Sequence, residues 1–451
     1  LADLDIKWLD SGQVVNSILS GDQHHATVAM TSSGYSFVVW QQEGSVSGSC
    51  SIHGRLIDPN DTLGTEIDIS GDAEDVSPPD VVTIYVDGRH CAVVTWAQRD
   101  AGQNDFHVYV SCLDGTMSPR LGLERTKVTT QGFESKLMSF PDVTALDPAT
   151  TNAHFFVTWG AKQLTETGNK VLNHYGRIFA ANGEGFGATR QMNTEPGFAV
   201  HGDNCDTVSP ANLGLGFYGL PDVDVLTSGK GVVVWEQVTC DCENPDDCVD
   251  PSLSIRSVFR RFDVVHNDFW IDPVEQEICE ECSENDYIRR PMVDVNSVGA
   301  VLAWVQHPAD DPNSQDVHFR RLNLSTLGIP ICPHPGFSGK KTRIVAQLDE
   351  VGRVFVSWTE YHGSGSYGAE TVMKFYDSMD VPISLDIASR NYSDEYILRL
   401  HEDTTQGDQI RPAQAWRTVG GAYHFVTTWE STGEEDEGLD IGFSSFEVRE
   451  K

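Results

Sequence analysis

Seven short apolar runs, each closing on tryptophan, punctuate the chain: FVVW at 37–40, VVTW at 93–96, FVTW at 156–159, VVVW at 232–235, VLAW at 301–304, FVSW at 355–358 and VTTW at 426–429. The fourth copy shows the surrounding pattern. LPDVDVL from Leu220 is followed by the turn TSGKG, VVVWEQ, a long loop, SVFRRFD at 257–263, the turn VVHND, and FWIDPVEQ at 269–276. Runs rich in Val, Ile, Phe and Trp between Gly, Asn and Asp turn signals predict four strands, A to D, per unit. The A strands are expected to start near Ala26, Pro79, Pro141, Pro221, Pro291, Ile344 and Pro412.

A unit of this length recurring along a chain implies a solenoid or a propeller. Seven four-stranded antiparallel units predict an all-β, seven-bladed β-propeller in a single domain spanning 1–451. By their A-strand starts the blades fall at about 21–70, 71–132, 133–195, 196–278, 279–336, 337–390 and 391–451. The last copy stops after its C strand. The segment GQVVNSIL at 12–19, within a closing stretch 1–20, is expected to pair beside 441–447 and complete blade 7. The tryptophans, equivalent in all units, read as packing residues between blades.

The repeat, roughly P-x-V, then VVxW, then a C strand ending near R-x-x-D, resembles that of seven-bladed propellers of secreted and cell-surface proteins. The resemblance implies architecture only. The chain carries no sialidase Asp-box, no Trp-Asp signature, no kelch double glycine and no calcium-cage repeat.

Charge narrows the partners. With 31 basic against 67 acidic residues the net charge is −36, which opposes nucleic acid and anionic membranes. No apolar run is long enough to span a bilayer. Ten cysteines, an even number, favour disulfides in an oxidising compartment. The acceptor tripeptides at Asn60, Asn323 and Asn391 agree with a secreted, cell-surface or periplasmic glycoprotein, in which Leu1 would be a mature N-terminus.

The long insertions at 125–139, 192–219, 236–253, 275–289, 331–342 and 388–410 all fall in B–C or D–A loops, so the functional face is assigned there. Cys205, Cys240, Cys242, Cys248, Cys279 and Cys282 lie on that face, and disulfide staples account for them better than zinc. Cys91 and Cys112 are expected to form a cross-strand bridge.

The residues flanking each A-strand start form two rings expected to share a strand face. Asp80, Asp142 and Asp222 offer carboxylates; Arg290, Arg343 and Arg411 offer guanidiniums that could clamp a carboxylate or sulfate. The alternative is that these charges hold the blades together. His24, His25, His201, His307, His334 and His362 lie near the same rim, where a transition metal or a general base is conceivable. The acidic loops with Asp310, Asp311 and Asp316, and with Glu434, Asp436 and Asp440, have the oxygen-rich composition of calcium sites, making calcium the candidate cofactor.

Three functions follow. The first is an extracellular binding or assembly module recognising a glycan, matrix component or partner subunit. The second is a lyase or hydrolase on acidic glycans, with catalytic candidates His25, His201, Tyr218 and Tyr361 beside the arginines. The third is a metal-dependent enzyme with a histidine cluster near the channel.

Overall fold

The computed structural model describes residues 4–450 apart from 19, 45–48, 72–74, 101, 119–124, 131–139, 148–153, 165–169, 195–197, 201–220, 227, 242–251, 267, 284–285, 309–313, 324–325, 336–338, 363–367, 387–395, 401–407 and 433–438. Seven antiparallel sheets radiate as blades from one axis. Their A strands are Gln23–Met30, Asp80–Val86, Asp142–Ala145, Asp222–Val225, Tyr287–Asn296, Lys340–Leu348 and Gln409–Val419. Strands B to D follow outward in each sheet.

The tryptophans explain why blades of such different length stack alike. All seven are at most 1% exposed. Trp96 packs among Ala29, Phe37 and Val39 of the preceding blade, and Trp159 among Val93, Val108 and Val110. Trp40, Trp235, Trp304 and Trp358 repeat this against their own predecessors. A buried aromatic of this size removes 150–250 Å² from water, so each B strand carries a large share of one inter-blade contact. Gly442 stands opposite Trp429 in the ladder, where a Cβ would meet the indole at 2.4 Å.

The ring closes through the N-terminal segment, as expected, but by a different stretch. Leu4–Val14 runs antiparallel to Leu439–Glu450, from Leu4 opposite Glu450 to Val14 opposite Gly442. Leu4 and Ile6 are buried, and Trp8 meets Phe446 at 5.1 Å. The expected strand at 12–19 overlaps it only at its end: alternating Asp5, Lys7 and Asp10 disguise an edge strand whose other face is apolar.

A second regularity ties the blades together at the axis. Asp80 of blade 2 accepts the Val143 N–H of blade 3 at 2.9 Å, and Asp142 accepts that of Val223 in blade 4 at 2.8 Å. Asp222 and Asp224 accept Val293 and Val295 of blade 5 at 2.9 and 2.6 Å; Asp294 accepts Leu348 of blade 6 at 2.6 Å. The inner strands of blades 2 to 5 thus satisfy buried N–H groups of the next, where no further strand can reach them.

Deleting residues 1–14 uncovers the ladder edge of Leu439–Glu450 and the apolar contacts of Leu4, Ile6 and Trp8. The expected result is loss of the cooperative thermal transition, with light scattering reporting aggregation. A soluble truncated chain with an unchanged midpoint would contradict closure.

Candidate functional site

In blades 1, 5, 6 and 7 the A strand breaks register against its B strand, between His24 and Thr27, Arg289 and Met292, Thr342 and Val345, and Ile410 and Ala413. Inside each break one residue has positive φ: His25 at 54°, Arg290 at 49°, Arg343 at 56° and Arg411 at 56°. Such a backbone costs a non-glycine residue about 1–2 kcal/mol and persists only when its surroundings enforce it.

In blades 1, 5 and 7 the residue after the tryptophan of the preceding blade supplies that enforcement. Glu430 accepts the His25 N–H at 2.6 Å, Glu236 that of Arg290 at 2.6 Å, and the Thr359 hydroxyl that of Arg411 at 3.0 Å. Gln41 holds the same position in blade 1, but the corresponding residue of blade 2 is Pro78, which has no N–H to offer. Gln41 instead donates its amide to the Val76 carbonyl at 2.8 Å and turns its oxygen to His25 Nδ1 at 3.2 Å. An amide oxygen only accepts, so the proton sits on Nδ1 and the Nε2 lone pair is left available.

The bulges aim their side chains at the axis on the B–C/D–A face. A cavity of about 270 Å³ is lined by His25, Asp222, Arg290, Arg343 and Arg411 together with Thr27 and the strand-start prolines. An adjoining one of about 130 Å³ shares Arg290, Arg343 and Arg411 and adds Arg289, Lys340, His307 and Tyr361. The three arginines are therefore the wall between two openings. Arg411 is paired with Glu430 at 2.5 Å. Among the described residues, the side chains of Arg290 and Arg343 have no hydrogen bond or ion pair.

These groups are only partly exposed by area, and burial governs the cost of charge. Burial, then the neighbouring guanidiniums, brings Arg290 down to about 10 and Arg343 well below the usual arginine range. Arginine keeps its proton all the same. The shift reflects burial first and the mutual repulsion of the guanidiniums second, partly offset by Glu236 and Glu430. Burial together with Arg411 and Arg343 brings His25 down to about 3 against the pull of Glu430, so its imidazole is neutral at pH 7. Burial pushes Glu430 up, but His24, Arg411 and His25 outweigh it and hold the carboxylate near 2.

Of the anticipated residues, His25, Tyr361, Arg290, Arg343 and Arg411 converge here. Asp222 lines the same cavity, yet Asp80, Asp142 and Asp222 spend oxygens on the inter-blade N–H groups. The two rings do not simply share a strand face, because each bulge interrupts alternation. His334 and His362 lie against Glu360 and Glu370, and His24 against Glu430. Asp440 takes the Asn16 amide and Asp316 takes Lys341. His201, Tyr218, Asp310, Asp311, Glu434, Asp436, Asn391, Cys205, Cys242 and Cys248 lie outside the described residues, as does the side chain of Cys240. Asn60 and Asn323 are exposed.

Cys279 and Cys282 form a disulfide with Cα atoms 5.4 Å apart. The expected Cys91–Cys112 bridge is absent: both are buried thiols. Cys91 stands opposite Asp114 and Cys112 opposite Val93, which makes the cysteines diagonal neighbours, beyond the reach of a disulfide. The residues that sequence reasoning missed are Gln41, Glu236, Thr359 and Glu430. Their signal was available: each directly follows a repeat tryptophan.

No protein-family model and no curated protein matches the sequence. Among solved structures, a protein of unknown function from Dyadobacter fermentans aligns over 98% of this chain and 99% of its own, with TM-score 0.51 and 10% identity. That likeness shows a common fold. An α-L-arabinanase from Penicillium chrysogenum, complexed with arabinobiose, covers 81% of this chain and 92% of its own at TM-score 0.42 and 11% identity. A subtype N11 neuraminidase-like protein of A/flat-faced bat/Peru/033/2010 (H18N11) covers 99% and 96% at TM-score 0.38 and 10% identity.

The axial carboxyls give a pH test. Burial pushes Asp222 up to about 7, and burial with Asp80 lifts Asp142 well above the usual range. A carboxyl raised in the folded state binds its proton more tightly there, so its stabilisation is complete below about 4 and is lost as pH rises through 7. Asp222→Asn keeps an oxygen for the Val293 N–H and removes the titration. The stability of the wild type relative to this variant should fall between pH 4 and 7, by up to about 1.4 kcal/mol per unit. Denaturant unfolding at several pH values measures it; a pH-independent difference would contradict the assignment.

Proposed function

We propose that this protein is an enzyme acting on uronate-containing glycans by β-elimination, with the axial arginine wall as its carboxylate clamp. One observation carries this reading: three successive blades present Arg290, Arg343 and Arg411 on one wall, and two of them lack a side-chain partner among the described residues. Guanidiniums match a carboxylate with paired hydrogen bonds.

The chemistry then follows from the neighbours. Neutralising a uronate carboxylate acidifies the C5 proton alpha to it. The free Nε2 of His25, set by Gln41, takes that proton. The bound anion offsets the repulsion from Arg411 and Arg343 and raises the basicity of His25. The electron pair of the C5–H bond forms the C4=C5 double bond and the C4–O4 bond breaks. Tyr361, which lines the adjoining cavity beside the same three arginines, is the candidate acid to return a proton to O4. The net charge of −36 disfavours long polyanions, so short oligouronates that reach the axis are the favoured substrates.

Purified protein is incubated with oligouronates and with neutral oligosaccharides of equal length, while the ultraviolet absorbance of the unsaturated uronate is followed. Absorbance with the acidic series alone is expected, and Arg343→Ala should lower kcat/KM by about 10²–10³. New reducing ends without absorbance would replace elimination by hydrolysis. Binding without product would return the protein to the class of recognition modules, and failure to bind any uronate would overturn the clamp.

A further inference from the structure

We infer that blade 5 carries a site for a borderline-soft divalent transition metal, of the zinc class, made by Asp316, His318 and Cys332. Their ligand atoms all lie within 4.8 Å of one another. The site shares no residue with the arginine-lined cavities.

The ladder builds it in advance. Asp316 and His318 stand two apart on strand C, Asp316–Asn323, and so project from one face. Phe319 and Ile331 exchange backbone hydrogen bonds at 3.0 and 2.8 Å, which sets Cys332 across the ladder from His318. Directly opposite residues have Cβ atoms about 4.5–5.5 Å apart, a span one metal ion can bridge. The His318 ring stacks on Trp304, with centroids 5.6 Å apart and planes 14° from parallel. The repeat tryptophan therefore fixes the orientation of the imidazole. Among the described residues the His318 ring nitrogens have no hydrogen-bond partner. Cys332 Sγ lies 3.9 Å from Asp316 Oδ1.

The donor set selects the ion. Thiolate, imidazole and carboxylate suit zinc, cobalt or copper, whereas calcium and magnesium prefer oxygen alone. Three protein ligands leave one position of a tetrahedron for water. The Asp316 side chain is 47% exposed, which gives an ion an entry path. Lys341 of blade 6 is buried against Asp316 Oδ1, the oxygen that Cys332 also approaches, and acts as the outer partner that orients the carboxylate.

The test uses the full chain, freed of metal by chelation under reducing conditions and titrated with Co(II). Saturable binding with a thiolate-to-cobalt charge-transfer band, reversed by Zn(II), is expected. Cys332→Ser should abolish the band, and His318→Ala should weaken binding by at least about tenfold, the scale on which even outer partners act. Both variants must retain the wild-type thermal transition without metal. Should either fail to fold, the wild type decides: Zn(II) should protect Cys332, and not Cys50, from alkylation mapped by mass spectrometry. Absence of a thiolate band, or alkylation of Cys332 indifferent to Zn(II), would overturn the site.

Discussion

Everything at the centre of this molecule depends on how the N–H groups of the inner strands are satisfied. An A strand has a ladder partner on one side only; its other side faces the axis, where no strand can follow. A buried amide left without an acceptor costs about 1–3 kcal/mol, so each blade must borrow an acceptor from a neighbour. From blade 2 to blade 6 the lender is an aspartate of the preceding A strand. Around the bulges it is the residue beyond the preceding tryptophan.

These two solutions divide the ring. Where aspartates do the binding, carboxyls crowd the axis, and burial followed by their mutual repulsion lifts their pKa values. Where bulges occur, the inner strand turns a basic side chain toward the axis instead. The result is a channel acidic on one side and cationic on the other, produced by the same backbone requirement. Since a buried charge is tolerated only with a counter-charge, the incomplete compensation of Arg290 and Arg343 is the property that sets this arc apart from an ordinary inter-blade ion-pair network.

The architecture was legible because it rests on period: a tryptophan ending each B strand is a signal repeated often enough to override uneven loops. The arginine arc was legible for the complementary reason, as a departure from that period. The bulges were not, since positive φ at Arg290, Arg343 and Arg411 leaves no compositional mark when the residue is neither glycine nor asparagine. The closing strand was misplaced because an edge strand alternates charged and apolar residues and so reads as a linker. Cys91 and Cys112 misled because the exact ends of the B–C loop leave no mark in the sequence: the ladder starts at Arg99 opposite Phe106, and that register offsets the cysteines by two.

The tryptophans return at the end as more than packing. Each fixes the B strand so tightly that the next side chain emerges at one place, and the identity of that side chain decides what its neighbour can do. Glutamate at 236 and 430 holds a bulge and brings a negative charge to the wall; threonine at 359 holds a bulge without charge. Glutamine at 41, facing a proline, is free to orient His25. Valine at 305 offers no acceptor at all, and the bulge it faces carries Arg343, the guanidinium that burial and its neighbours destabilise most. The charge balance of the arginine wall is thus set where a regular scaffold varies at a single position per blade, and it is least compensated at Arg343, the one bulge of the four whose facing residue brings no acceptor.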